Sequence, residues 1–175
     1  MVIWDTNILA VYFGQRLSPD DQLRMQGLVD ELKRKREPIG IPAQVWAEFL
    51  DEASEQELEH SQAVLRTSAF KFLPYDQRAA FETVQVSRSG RSERKKQITQ
   101  KRARQAVKVD WQIIAIAKVN NARLLLTNDV DMKDEARKLG LNALHIKDLE
   151  IPPALRQHSL QYDADQDEVY WFPDT

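Results

Sequence analysis

Short apolar runs alternate along this chain with longer stretches of helical period. The first five residues, Met-Val-Ile-Trp-Asp, are apolar up to a closing carboxylate, the pattern of a short strand buried on both faces. A helix is predicted to start at Thr6 and to reach Phe13. Ser18-Pro19-Asp20-Asp21 is a second helix start, with a capping serine, a proline in the first position and acids in the first turn. That helix is predicted to run to about residue 37, with the bases of 33–36 near the negative end of its dipole. Ile39-Gly40-Ile41 is short enough for a second strand. Pro42 then opens a helix whose apolar face is Val45, Trp46, Phe49, Leu50 and Ala53.

Residues 59–86 read as a helix, a short apolar link at 70–73, and a helix again. Residues 87–92, around Gly90, read as a flexible break. The stretch 109–119 is apolar nearly all round, so its helix is predicted to lie buried on the sheet. Residues 123–127, with three consecutive leucines, form a third strand of the buried type. A helix over 131–139 is predicted to stop at Gly140, and 142–146 to be a fourth strand. Strands alternating with helices define an α/β class: three layers, α/β/α, around a mainly parallel central sheet of four to five strands.

At 175 residues, 42% of them hydrophobic, the chain is long enough for one domain with a real core. Residues 1–150 are predicted to be that domain, and 151–175 an acidic, aromatic extension. No apolar run approaches the roughly 20 residues that cross a bilayer, and MVIWDTN lacks the plan of a secretory signal. Zero cysteines exclude disulfides and thiolate chemistry. A cytoplasmic location is therefore expected, with no membrane partner. The net charge of −2 conceals an asymmetry: residues 88–108 hold nine bases and one acid, so the remainder carries about −10. Residues 162–175 hold five acids and no base.

Ligands of open parallel sheets bind beyond the carboxyl ends of the strands. Asp5 closes the first strand, Asp129 and Asp131 follow the third, and Asp110 is expected at the start of the buried helix, opening onto the same rim. Taken singly, each is also an ordinary turn or helix-capping aspartate. Together they bring acids from three segments to one edge. Two carboxylates about 4 Å apart repel by about 4 kcal/mol at an effective dielectric near 20, so either protons or a cation must sit among them. An all-oxygen donor set without cysteine or a neighbouring histidine favours Mg2+ or Mn2+.

Three stretches resemble the motifs of PIN domains. IWDTNILAVYF is similar to their opening motif, IPAQVWAEFL to a second ending in a glutamate, here Glu48, and KVDWQIIAIAKVNNARLLLTNDVDM to a third and fourth. The resemblance covers roughly residues 1–147. It implies a metal-dependent ribonuclease with Asp5, Glu48, Asp110 and Asp129 as its catalytic and metal-binding acids, Asp131 as an accessory ligand, and Asn7 and Thr127 as polar support. Glu48 is singled out by the resemblance alone, because Asp51, Glu52 and Glu55 lie close by. RNA as substrate, an antitoxin protein and a second copy of the chain are the partners it implies. Toxin of a toxin–antitoxin pair and housekeeping RNA-processing nuclease are both open roles, as is a catalytically silent RNA- or protein-binding module. The stretch between Glu48 and Asp110 is longer than in compact toxins of this family, and the basic segment falls in that excess. Haloacid-dehalogenase-type phosphatases also place an aspartate after the first strand, but require a second one two positions on, where this chain has Asn7.

The basic segment leads directly into Asp110. A solvated helix or loop is the ordinary reading of such a run. Beside an acidic metal site it is also a cationic lip for phosphates, with Arg94, Lys95, Lys96, Lys101, Arg102, Arg104 and Lys108 as its contacts. Tyr162 and the run Val169-Tyr170-Trp171-Phe172 suggest a terminal hairpin. Trp4, Trp46, Trp111 and Trp171 read as core, with Trp111 the one candidate for stacking on a base. His60, His145 and His158 have no ligand spacing.

Overall fold

A computed structural model of the protein describes residues 1–94 and 104–156. Its elements run β1 (Val2–Trp4), α1 (Thr6–Phe13), α2 (Pro19–Lys35), β2 (Ile39–Pro42), α3 (Ala43–Glu52), α4 (Glu55–Leu65), β3 (Phe70–Leu73), α5 (Gln77–Arg94), α6 (Arg104–Val119), β4 (Leu124–Leu126), α7 (Val130–Lys138) and β5 (Ala143–Leu144), then a 3-10 turn at Ile146–Asp148. The strands form one sheet in the order β3-β2-β1-β4-β5, every pair parallel. Val2 stands opposite Ile39 on one side and Leu124 on the other. Successive connections step from β1 out to β3, then cross back to β4 and β5. With right-handed crossovers, the helices of the two directions fall on opposite faces, which gives the three layers. The order reverses at β1, so β1 with its neighbours β2 and β4 marks the switch point of the sheet.

The apolar runs account for this centre. Val2, Ile3 and Trp4, Ile39 and Ile41, and Leu124 to Leu126 are all buried in one core. Helix α6 covers them with Ile113, Ile114, Ala115, Ile116 and Ala117, each at most 1% exposed. Helix α2 starts as predicted: Ser18 Oγ accepts the Asp21 N–H at 3.2 Å, and Asp20 and Asp21 sit in its first turn. Beyond α7, Gly140 takes a left-handed φ of +79°, which suits glycine after a helix end.

Four expectations need correction. Residues 70–73 are a fifth strand, β3, which extends the sheet beyond β2 at its edge. The expected break at 87–92 is helical, because α5 continues to Arg94 and lies along α6, joined to it by Lys118–Glu82 at 2.6 Å and by Arg78 donating to the Val119 carbonyl at 2.9 Å. Helix α6 already begins at Arg104, so Asp110 is in its second turn and not at its start. The fourth predicted strand is shorter, covering only Ala143–Leu144, and its last residue opens the 3-10 turn, which His145 caps.

After that turn the chain comes back to α2. Arg24 Nε donates to the Leu149 carbonyl at 3.1 Å, and Gly27 lies against the Pro152 ring. The hairpin expected near the C-terminus lies outside the described residues. Among the described residues, no helix is long and apolar enough to cross a membrane.

Candidate active site

Asp5 lies one residue past β1, at the switch point, and is only 6% exposed. It caps α1: Oδ1 accepts the Thr6 N–H at 2.8 Å. Its other oxygen, Oδ2, accepts from Thr127 Oγ1 at 2.7 Å and from Asn7 Nδ2 at 2.7 Å. The capping role and a ligand role do not compete here, since the cap fixes where the carboxylate points. Strand pairing supplies Thr127. β4 runs beside β1, with the Asp5 N–H on the Leu126 carbonyl at 3.1 Å, so the residue after β4 meets the residue after β1.

Thr127 is wholly buried and its hydroxyl also accepts, from the Asp129 N–H at 3.0 Å and from Asn7 Nδ2 at 3.4 Å. Asn7 Oδ1 in turn accepts the Asn128 N–H at 2.9 Å. The loop 127–129 is thereby held against the first turn of α1. Asp129 caps α7 through Oδ1, which takes the Met132 N–H at 2.9 Å. From the other side of β1, Glu48 on the exposed face of α3 reaches Thr6, whose hydroxyl donates to Glu48 Oε2 at 2.7 Å.

Burial is the main influence on Asp5 and pushes its carboxyl above the ordinary 3.8. Hydrogen bonds from Thr127 and Thr6 act the other way, while the negative charges of Glu48 and Asp129 raise it further. Among the described residues these influences include no cation. A divalent ion would supply what the set lacks, and carboxylate oxygens are the donors that Mg2+ and Mn2+ prefer, so the residues fit such an ion in kind and in charge. As placed, no three acidic or histidine side chains among the described residues converge on one point that could hold an ion.

The structure thus brings Asp5, Asn7, Thr127, Glu48 and Asp129 into one connected cluster. Asp131 is exposed in the first turn of α7. Asp110 is half-buried in α6, where its neighbours Trp111 and Gln112 bind outward: Trp111 Nε1 donates to Glu135 Oε1 at 3.0 Å, and Gln112 Oε1 accepts from Gln44 of α3 at 3.2 Å. Trp111 is 6% exposed and held by Glu135, so it is a core residue and not a stacking platform. Lys108 is exposed on α6. Arg94 and Arg104 fall on helical backbone, while Lys95, Lys96, Lys101 and Arg102 lie outside the described residues. Two members of the cluster, Thr6 and Asn128, were not among the predicted site residues. Each directly follows a predicted one in sequence, in Asp5-Thr6 and Thr127-Asn128.

No family model matches the chain, and no curated protein does. Solved structures do. A chain in the crystal structure of VapBC2 from Rickettsia felis bound to a DNA fragment from its promoter superposes with a TM-score of 0.59 at 18% identity, over 83% of this chain and 98% of that one. A chain of DNA-bound VapBC from Salmonella typhimurium gives 0.54, also at 18%, over 83% and 97%. The shared feature is the fold. With its five parallel strands and helices on both faces, it is the PIN-like arrangement that the motifs imply.

Proposed function

We propose that this protein is a metal-dependent endoribonuclease that hydrolyses RNA phosphodiester bonds, and that it is the toxin of a toxin–antitoxin pair. The observation that carries the reading is the buried Asp5 carboxylate, held by three donors at the switch point of the sheet, with Glu48 and Asp129 as negative neighbours. Asp5, Glu48, Asp110 and Asp129 are the proposed ligands of Mg2+ or Mn2+, with Asp131 accessory. When bound, the ion supplies an activated water and charge neutralisation at the scissile phosphate. Thr127 and Asn7 hold Asp5 Oδ2 and the Thr6 N–H holds Oδ1, which keeps the carboxylate oriented, as hydrogen-bonded partners of ligands generally do. Asp129 is kept in place by its cap on α7. Lys108, exposed two residues before Asp110, is the proposed phosphate contact nearest the site, and the basic segment extends it along the RNA backbone.

Support for the toxin role is the fold shared with chains of VapBC complexes. By the same likeness, an antitoxin protein is a proposed partner; a second copy of the chain is proposed from the motif resemblance alone. The competing reading, a silent RNA- or protein-binding module, draws on the absence of a three-acid cluster among the described residues. Labelled single-stranded RNA incubated with Mn2+ separates the two. Cleavage by the wild type that is lost in Asp5→Asn supports the nuclease; binding without cleavage in both supports the module. Growth arrest on induced expression, relieved by Asp5→Asn, tests the toxin role against a housekeeping one.

A further inference from the structure

Helix α3 and the first residue of α4 carry four exposed acids, Glu48, Asp51, Glu52 and Glu55. Composition does not distinguish them, and as free side chains each would sample many rotamers in water. One of them is fixed. Thr6, 8% exposed, donates its hydroxyl to Glu48 Oε2 at 2.7 Å, while its own N–H holds Asp5 Oδ1 at 2.8 Å. A single residue thus binds two carboxylates from separate elements, the end of β1 and α3. Packing sets the register in which this happens. Thr6 and Phe13 are two turns apart on one face of α1, and Phe13 meets Phe49, the neighbour of Glu48, with ring centroids 5.6 Å apart.

We propose that Thr6 is the positioning residue of the site: its hydroxyl selects Glu48 from the acids of this region and holds it toward Asp5 as a cation ligand. This rests on the metal-binding reading above and adds to it the device that fixes the mobile ligand. A short bond between a hydroxyl and a carboxylate is charge-assisted, and loss of such an outer partner typically weakens metal binding 10- to 100-fold. Thr6→Val keeps the β-branched shape and removes the hydroxyl; Thr6→Ser keeps the hydroxyl.

The test is calorimetric titration of the full chain with Mn2+ alone, with Asp5→Asn and Glu48→Gln measured alongside. Thr6→Val is expected to raise the Mn2+ Kd at least about 10-fold, Thr6→Ser to restore it to within about threefold, and Thr6→Val to have no further effect in Glu48→Gln. That coupling to one glutamate is something a purely structural role would not produce. If Thr6→Val does not fold, as judged by circular dichroism, Thr6→Ala takes its place in each comparison. Unchanged Mn2+ affinity in Thr6→Val, or equal losses with and without Glu48, overturns the assignment while leaving the metal site standing. Wild-type Mn2+ affinity in Asp5→Asn overturns the metal-binding reading itself.

Discussion

Replacing Thr127 by valine retains a wholly buried, β-branched side chain and deletes one hydroxyl. That hydroxyl donates to Asp5 Oδ2 at 2.7 Å and accepts the Asp129 N–H at 3.0 Å, with a longer contact to Asn7 at 3.4 Å. A bond to a charged group contributes about 1.5–3 kcal/mol, and an orphaned N–H costs about 1–3 kcal/mol where it is dry. Asp129 is only half-buried, so the lower end applies to its amide and the total is about 3 kcal/mol. For a chain of this size that lowers Tm by roughly 6–12 °C.

The cost is also expected to depend on pH, and its sign follows from Asp5. The Thr127 hydroxyl opposes the upward push of burial on this carboxyl, so deleting it lifts the folded-state value further. An acid raised in the folded state binds more protons there than in the unfolded chain, so stability falls as pH rises from the ordinary 3.8 through the folded value. Thr127→Val should therefore cost more at about pH 8 than at about pH 4.5. Urea unfolding of both proteins in EDTA at the two pH values measures this. A cost below about 1 kcal/mol, or one equal at both pH values, refutes the assignment of Thr127 as the donor that offsets the effect of burial on Asp5.

Asp5→Asn removes a carboxyl whose charged form is disfavoured by burial and by the negative charges of Glu48 and Asp129, so the metal-free variant is expected to melt at or above the wild-type temperature while losing RNA cleavage. Mn2+ at about 100 times its Kd should stabilise the wild type by about 2.7 kcal/mol and leave the variant unmoved in a thermal-shift assay. Gly27→Ala gains about 1 kcal/mol of helix propensity, but the new Cβ falls on Pro152 Cγ and 2.6 Å from its Cδ. A net loss of stability is expected in chemical unfolding, recovered when Pro152→Ala is added; a stabilised single variant would show that the returning segment does not press on α2. Reversing the charges of Arg94, Lys95 and Lys96 should weaken RNA binding and flatten its dependence on salt by about two units of log–log slope, read by filter binding across a salt series.

The centre of the fold is legible in the sequence because β1, β2 and β4 are buried on both faces, and a short continuous apolar run has few other uses. Strand β3 is not legible in the same way. It is an edge strand whose Lys71 and Phe72 are exposed, so Phe-Lys-Phe-Leu carries neither a continuous run nor a protected face. The stretch Ser-Arg-Ser-Gly-Arg-Ser reads as a breaker because a helical glycine costs about 1 kcal/mol. Helix α5 runs through it beside α6, and this tertiary pairing is not written in the local residues. Asp5 and Asp129 can be found from strand ends alone. Glu48 differs from its acidic neighbours only through Thr6, across 42 residues of chain, which no local pattern displays. Asp110 was expected at a helix start because the apolar period becomes convincing only from Val109, although the helix itself begins earlier.

The partner that completes Asp5 is 122 residues away in the chain. At roughly 5–20 residues per second, a ribosome needs on the order of ten seconds to travel from one to the other, and during that time the first carboxylate lacks both β4 beside its own strand and its hydroxyl donor. A nascent chain therefore carries Asp5 in an unassembled state until the strand that brings Thr127 has been made. The order of the strands in the sheet acts as a timer, keeping this carboxylate without its hydroxyl donor until β4 and the residue after it have been made.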